Sequence, residues 1–70
     1  MTPKEMADVA RANIDKTVRI KYKGGEIDLA LVLTVDDEGL VFDLATVSPE
    51  ERKTSYWSVF TGIEEIEPAG

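Results

Sequence analysis

The sequence predicts one mainly β domain spanning residues 1–70: an N-terminal helix over about 3–13, then a five-stranded, strongly bent antiparallel barrel over about 16–67. Three observations lead there. Apolar residues recur at three- and four-residue steps only in the first fourteen positions, whereas beyond Lys16 they alternate in short runs. Those runs are separated by turn-forming clusters: Gly24-Gly25, Asp36-Asp37-Glu38-Gly39, a loop holding Ser48-Pro49, and Thr61-Gly62. A chain of 70 residues leaves room for a single core.

The helix begins where Thr2-Pro3-Lys4-Glu5 supplies an N-cap, a proline at the first helical position and a glutamate placed to complete a capping box. Met6, Val9, Ala10 and Ile14 form its apolar stripe, so it is expected to lie as a lid on the barrel. Asn13 and Asp15 are turn formers and end it.

From Thr17 to Lys23, Val18, Ile20 and Tyr22 share one face and Arg19, Lys21 and Lys23 the other. Gly24-Gly25 reads as a two-residue turn into a second strand over Glu26 to Val35. Its inner set is expected to be Ile27, Leu29, Leu31, Leu33 and Val35, although Ala30 and Val32 make the opposite face apolar too. A strand apolar on both faces is usually covered on both, here by the helix or by a neighbouring subunit. Leu40, Phe42 and Leu44 form the inner set of the third strand, opposite Val41, Asp43 and Ala45. Thr46 to Lys53 is a loop. In the fourth strand, Thr54 to Phe60, the residues Tyr56, Ser58 and Phe60 face one way and Trp57 and Val59 the other. Thr61-Gly62 turns the chain sharply into a short fifth strand, Ile63 to Glu67, followed by a Pro68-Ala69-Gly70 tail.

Composition narrows the function. Without cysteine there is neither a disulfide nor a thiolate metal site, so a domain this small must rely on a well-filled core or on copies of itself. Self-association is the expected route. Without histidine the usual proton shuttle near neutral pH is missing, and Ser48, Ser55 and Ser58 have no histidine to activate them. No enzyme, catalytic residue or cofactor is expected. A chain beginning at Met1 with no apolar run of membrane length is expected in the cytoplasm, without a membrane partner.

The formal charge of -6 opposes tight binding to nucleic acid. It is unevenly spread: six basic against three acidic residues give +3 up to Gly25, and the remainder carries -9. Basic and acidic surfaces of neighbouring copies could therefore meet head to tail.

The order of elements, with a long bent second strand and a tight corner before the fifth, resembles the Sm-like family. The resemblance rests on Lys16-Thr17-Val18-Arg19-Ile20, on Gly25 after the first strand, and on Val32-Leu33-Thr34-Val35-Asp36-Asp37, which is similar to the first Sm motif's apolar strand leading to an aspartate. It implies a ring in which the fourth strand of one subunit pairs with the fifth of the next, and RNA bases held by loops at the pore. Asp36 matches the motif's aspartate. Where the family commonly carries a base-contacting asparagine this chain has Gly39-Leu40, and in place of arginine-glycine it has Thr61-Gly62. Those departures leave ring assembly intact and remove the usual RNA pocket. A monomeric or dimeric SH3-like adaptor has the same strand order and would recognise a protein partner through Tyr56, Trp57 and the preceding loop.

Lys16, Arg19, Lys21 and Lys23, with Asp36, are the candidate nucleic-acid contacts, the cations forming a stripe able to track phosphates. Lysines that guard a sheet edge look the same, and the net charge favours that plainer reading. Tyr56, Trp57, Val59, Phe60 and Ile63 are the candidate oligomer contact, because adjacent large side chains must point both ways and one set leaves the core. Asp36, Asp37, Glu38 and Asp43 lack the ligand spacing of a calcium loop, and no metal is expected there.

Overall fold

A computed structural model describes residues 1–51 and 55–69. The helix α1, Pro3–Ala12, starts with the expected reciprocal cap: Glu5 N donates to Thr2 Oγ1 at 3.1 Å, and Thr2 N donates to Glu5 Oε1 at 2.9 Å. Hydrogen bonding from the Thr2 backbone and side chain holds the Glu5 carboxyl below its ordinary range. Asn13 closes the helix, its amide Nδ2 donating to the Val9 carbonyl at 2.8 Å. Asp15 then reverses the chain at φ 65, and its N–H reaches the Val32 carbonyl. Met6, Ala7 and Ala10 are buried, with Val9 packed at their margin. Ile14 departs from the expected stripe and is exposed, because the helix has ended before the helical phase can return it to the core.

Five antiparallel strands follow: β1 Thr17–Tyr22, β2 Ile27–Val35, β3 Gly39–Leu44, β4 Tyr56–Val59 and β5 Ile63–Pro68. They form one sheet in the order β4-β3-β2-β1-β5, which leaves β4 and β5 as edges that do not pair with each other. The β1–β2 loop is longer than the expected two-residue turn. Tyr22 N donates to Glu26 O, enclosing Lys23, Gly24 and Gly25, and Gly25 takes the positive φ of 94 that closes such a loop. Between Ser48 and the fourth strand, Pro49–Glu51 makes one 3-10 turn. The expected start of β4 at Thr54, the loop end at Lys53 and the tail residue Gly70 lie outside the described residues.

The inner face of β2 is the reverse of the expected one. Ala30 and Val32 are fully buried, whereas Ile27 and Leu29 are exposed at 51% and 39%, and Leu31 and Leu33 are half-buried. Register explains the choice: Ala30 lies opposite Val18 and Leu44, and Val32 opposite Phe42, all members of inner rows. At Leu33 the pairing skips one residue, so Thr34 meets Val41 and Val35 meets Leu40. That bulge shifts the phase and turns Val35 towards the core.

A flat five-stranded sheet would hold its edge strands about 19 Å apart at the usual interstrand spacing. Here one 3-10 turn, Phe60–Gly62, carries the chain from β4 to β5, and at about 2 Å per residue it cannot bridge that gap. The sheet must therefore curl. Phe60 N donates to Glu38 O and Lys23 N to Gly62 O, fastening the corner to both adjoining hairpins. Inside the curl lie Val18, Ile20, Leu40, Phe42, Phe60, Ile63 and Ile66, with α1 covering them. The Cα radius of gyration, 11.0 Å, matches the roughly 11 Å expected of a closely packed chain this long.

At Gly39, β4 leaves no room for a side chain on β3. A Cβ there would fall 2.2 Å from the Ser58 carbonyl oxygen and 3.0 Å from Cη2 of the Trp57 indole. Gly39→Ala is expected to cost about 1–3 kcal/mol in urea unfolding, from overpacking against backbone. Gly62→Ala, with nothing within 4 Å, is the control and should leave the midpoint nearly unchanged.

Candidate functional site

The β4 edge has the least protection against another strand. The Ser58 carbonyl lies against Gly39 of β3, so alternation along the strand points the N–H and C=O of Trp57 and the N–H of Val59 away from the sheet, while the Val59 carbonyl caps the following 3-10 turn. No charged residue stands among Tyr56–Val59, and charge is the common guard of such an edge. Trp57 and Val59 share the outer row with Val41 and Gly39, at 49% and 42% exposure. Tyr56 points to the inner side and stacks on Phe42, centroids 5.9 Å apart, with half its surface open. Phe60 and Ile63 are each 1% exposed within the chain's own core, so of the five expected contact residues only Tyr56, Trp57 and Val59 offer side chains to a partner.

The β5 edge has a different character. Glu64, Glu65 and Glu67 run along it, and two copies of β5 side by side would set carboxylates against each other. Part of the edge is occupied by Met1, whose ammonium donates to Glu64 O at 3.3 Å and whose Sδ accepts from Ile66 N at 3.5 Å. The first is long for a nitrogen–oxygen bond and the second is of ordinary length for sulfur.

The same strand meets the basic stripe. Arg19 lies opposite Glu67 and pairs with it at 2.5 Å, and Lys21 lies opposite Glu65. The two central cations thus have carboxylates in register across a strand distant in sequence. Lys23 falls in the β1–β2 loop, and Lys16 stands at the rim of an open cleft of about 670 Å³ with Asn13, Asp15, Thr17, Leu29, Pro68 and Ala69. The four cations therefore divide between a strand face, a loop and a cleft. Asp36 is committed to its own turn: Oδ1 accepts from Glu38 N at 2.7 Å and Gly39 N at 2.9 Å. Its neighbour Asp37 receives Arg11 from the helix at 2.7 Å. Among the described residues no group of three or more carboxylates converges, and no helix is long and apolar enough to cross a membrane.

One grouping escaped the sequence reading. The Tyr22 phenol of β1 lies near Ser58 of β4 and Asp28 of β2, which sets an edge strand beside the sheet's interior rows. Tyr22 and Ser58 each follow the alternation of their strands, but nothing local indicates that the curl brings them together. Burial pushes the Tyr22 phenol up to about 12, with Asp28 and Glu26 adding to the rise and the Ser58 bond opposing it. Comparison of the chain with protein-family models, with curated proteins and with solved structures finds no match.

Folding favours the neutral phenol, since the folded value lies above the unfolded one near 10. That contribution is complete below about pH 10 and is lost as pH rises from 10 towards 12, so stability is expected to fall across that window. Subtracting the ultraviolet titration of Tyr22→Phe from that of the native chain should isolate a phenolate appearing near pH 12. A missing phenol that titrates near 10 would show that the Tyr22 ring is not buried.

Proposed function

We propose that this chain is a self-associating binding or scaffolding protein of the Sm-like kind, in which β4 of one copy extends the sheet of the next along β5. The observation that carries the reading is the uncharged β4 edge, with the Trp57 N–H and C=O and the Val59 N–H directed outward. Supporting it, the acidic side chains of β5 discourage that edge from pairing with itself and place no like charge against β4. Among the described residues, the two Met1 contacts are what a neighbour would displace there. RNA binding through the basic stripe is disfavoured, because Arg19 and Lys21 already face Glu67 and Glu65.

Light scattering at low and high salt tests the reading. The expected result is a mass of several chains that persists at high salt, since main-chain pairing is little screened. Val59 has φ -84, close to the proline value, so Val59→Pro fits the fold while removing an outward N–H. That variant should lose every species above two chains. A native chain that stays monomeric at all concentrations overturns the ring and directs attention to a protein partner at Tyr56 and Trp57.

A further inference from the structure

The two Met1 contacts on the β5 edge form one device. Thr2 is held in extended backbone by the capping box, which sends Met1 away from α1 and onto β5. There the Met1 ammonium donates to the Glu64 carbonyl and Sδ accepts from the Ile66 N–H. Met1 thus offers the edge one donor and one acceptor, as a residue of a sixth strand would, with the thioether standing in for a carbonyl. The carboxylates of Glu64, Glu65 and Glu67 favour an ammonium at this edge. Ile66 is the more telling partner. Alternation puts Pro68 on the same side of β5, and proline has no N–H, so beyond Ile66 the strand has no further donor to offer.

We infer that Met1 is a latch on the β5 edge whose hold is set by the oxidation state of its sulfur. The chain has two methionines, and they differ sharply in access: Met1 is 48% exposed, whereas Met6 is 1% exposed within the core. A peroxide therefore reaches Met1 first. The sulfur lone pair attacks one peroxide oxygen, the O–O bond breaks as an S–O bond forms, and the other oxygen leaves as water; sulfur loses two electrons and the peroxide gains them. The thioether sulfur is a weak acceptor, and a sulfoxide oxygen turned towards Ile66 replaces the N–H···S contact with an N–H···O bond of about 2.9 Å. Because half of Met1 already lies in water, giving its side chain a polar atom sacrifices little burial. Oxidation tightens the latch. The consequence for assembly rests on the reading that β4 of a neighbouring copy pairs along β5: that copy needs the same Ile66 N–H, so peroxide holds the chains apart.

Hydrogen exchange of the Ile66 amide, followed by nuclear magnetic resonance, reads the latch directly, and using the Val59→Pro chain keeps edge pairing out of this arm. Treatment with hydrogen peroxide, with peptide mapping that places the single added oxygen on Met1, should slow Ile66 exchange about fivefold, the worth of one ordinary hydrogen bond, while the β1 amides keep their rates. A synthetic chain carrying norleucine in place of Met1, which keeps the shape and removes the sulfur, should exchange Ile66 faster than the untreated chain. A folding defect cannot imitate the slower amide. Ile66 exchange indifferent to both changes overturns the inference, as does faster exchange in the sulfoxide. Light scattering of the chain with Val59 intact then tests the consequence: oxidation should raise the concentration needed for assembly by about the same factor. Assembly unchanged by oxidation while Ile66 is protected overturns control of association by the latch. A chain that is monomeric throughout overturns the edge reading alone, because the Ile66 amide decides the latch without it.

Discussion

The corner Phe60–Gly62 is the constraint on which the rest of the architecture depends. It joins the two outermost strands of a five-stranded sheet through three residues, and no flat arrangement allows that. Every feature of the interior follows from the resulting curl. Phe60 is drawn into the core, β4 is carried round until Ser58 reaches Tyr22, and the inner rows of β1, β3 and β5 face a common centre that α1 closes. The energy holding the corner comes chiefly from burial of Phe60 and Ile63, since its two inter-hairpin hydrogen bonds are main-chain links with modest net worth.

Curling also decides which face of β2 is inside. Alternation alone leaves the choice open, because both faces of Ile27–Val35 are apolar. Volume settles it. The space between β2 and α1 is shared with Ala7 and Ala10, which let the helix approach closely, and Ala30 and Val32 fit beneath them. Four large residues from Ile27 to Leu33 would overfill that gap at a cost of about 1–3 kcal/mol each. Counting hydrophobic residues therefore pointed to the larger set, whereas packing selected the smaller one. The bulge at Leu33 is equally silent locally: its signal is the mismatch of phase between Val32 and Val35, visible only once Leu40 and Phe42 of β3 are in register.

Where a strand carried one clear alternation the sequence was sufficient. β1 buries Val18 and Ile20, β3 buries Leu40 and Phe42, and the capping box of α1 forms as its residues dictate. The candidate surface was half legible on the same grounds. Adjacent Tyr56 and Trp57 had to point in opposite directions, and they do, which leaves an aromatic side chain on each side of an edge strand. What could not be read was the company each charge keeps. Arg19 and Lys21 formed an unopposed basic stripe along the chain, and only the pairing of β1 with β5 sets Glu67 and Glu65 beside them. Long-range register, which costs loop-closure entropy and is decided by the whole sheet, lies beyond any local pattern.

The charge distribution bears directly on which surfaces another molecule can approach. A net charge of -6 on 70 residues repels other copies at long range, and a polyanion would be repelled as well. That repulsion is screened over about a Debye length and acts weakly where the approaching surfaces are themselves neutral. The β4 edge carries no charge, and the outer face of β2 is bordered by cations on one side and a carboxylate on the other. Acidity elsewhere then works as a filter, making most mutual orientations unfavourable while leaving these two surfaces open. On a domain too small to hide all its apolar residues, that arrangement leaves exposed Ile27, Leu29 and Trp57 on surfaces of low charge.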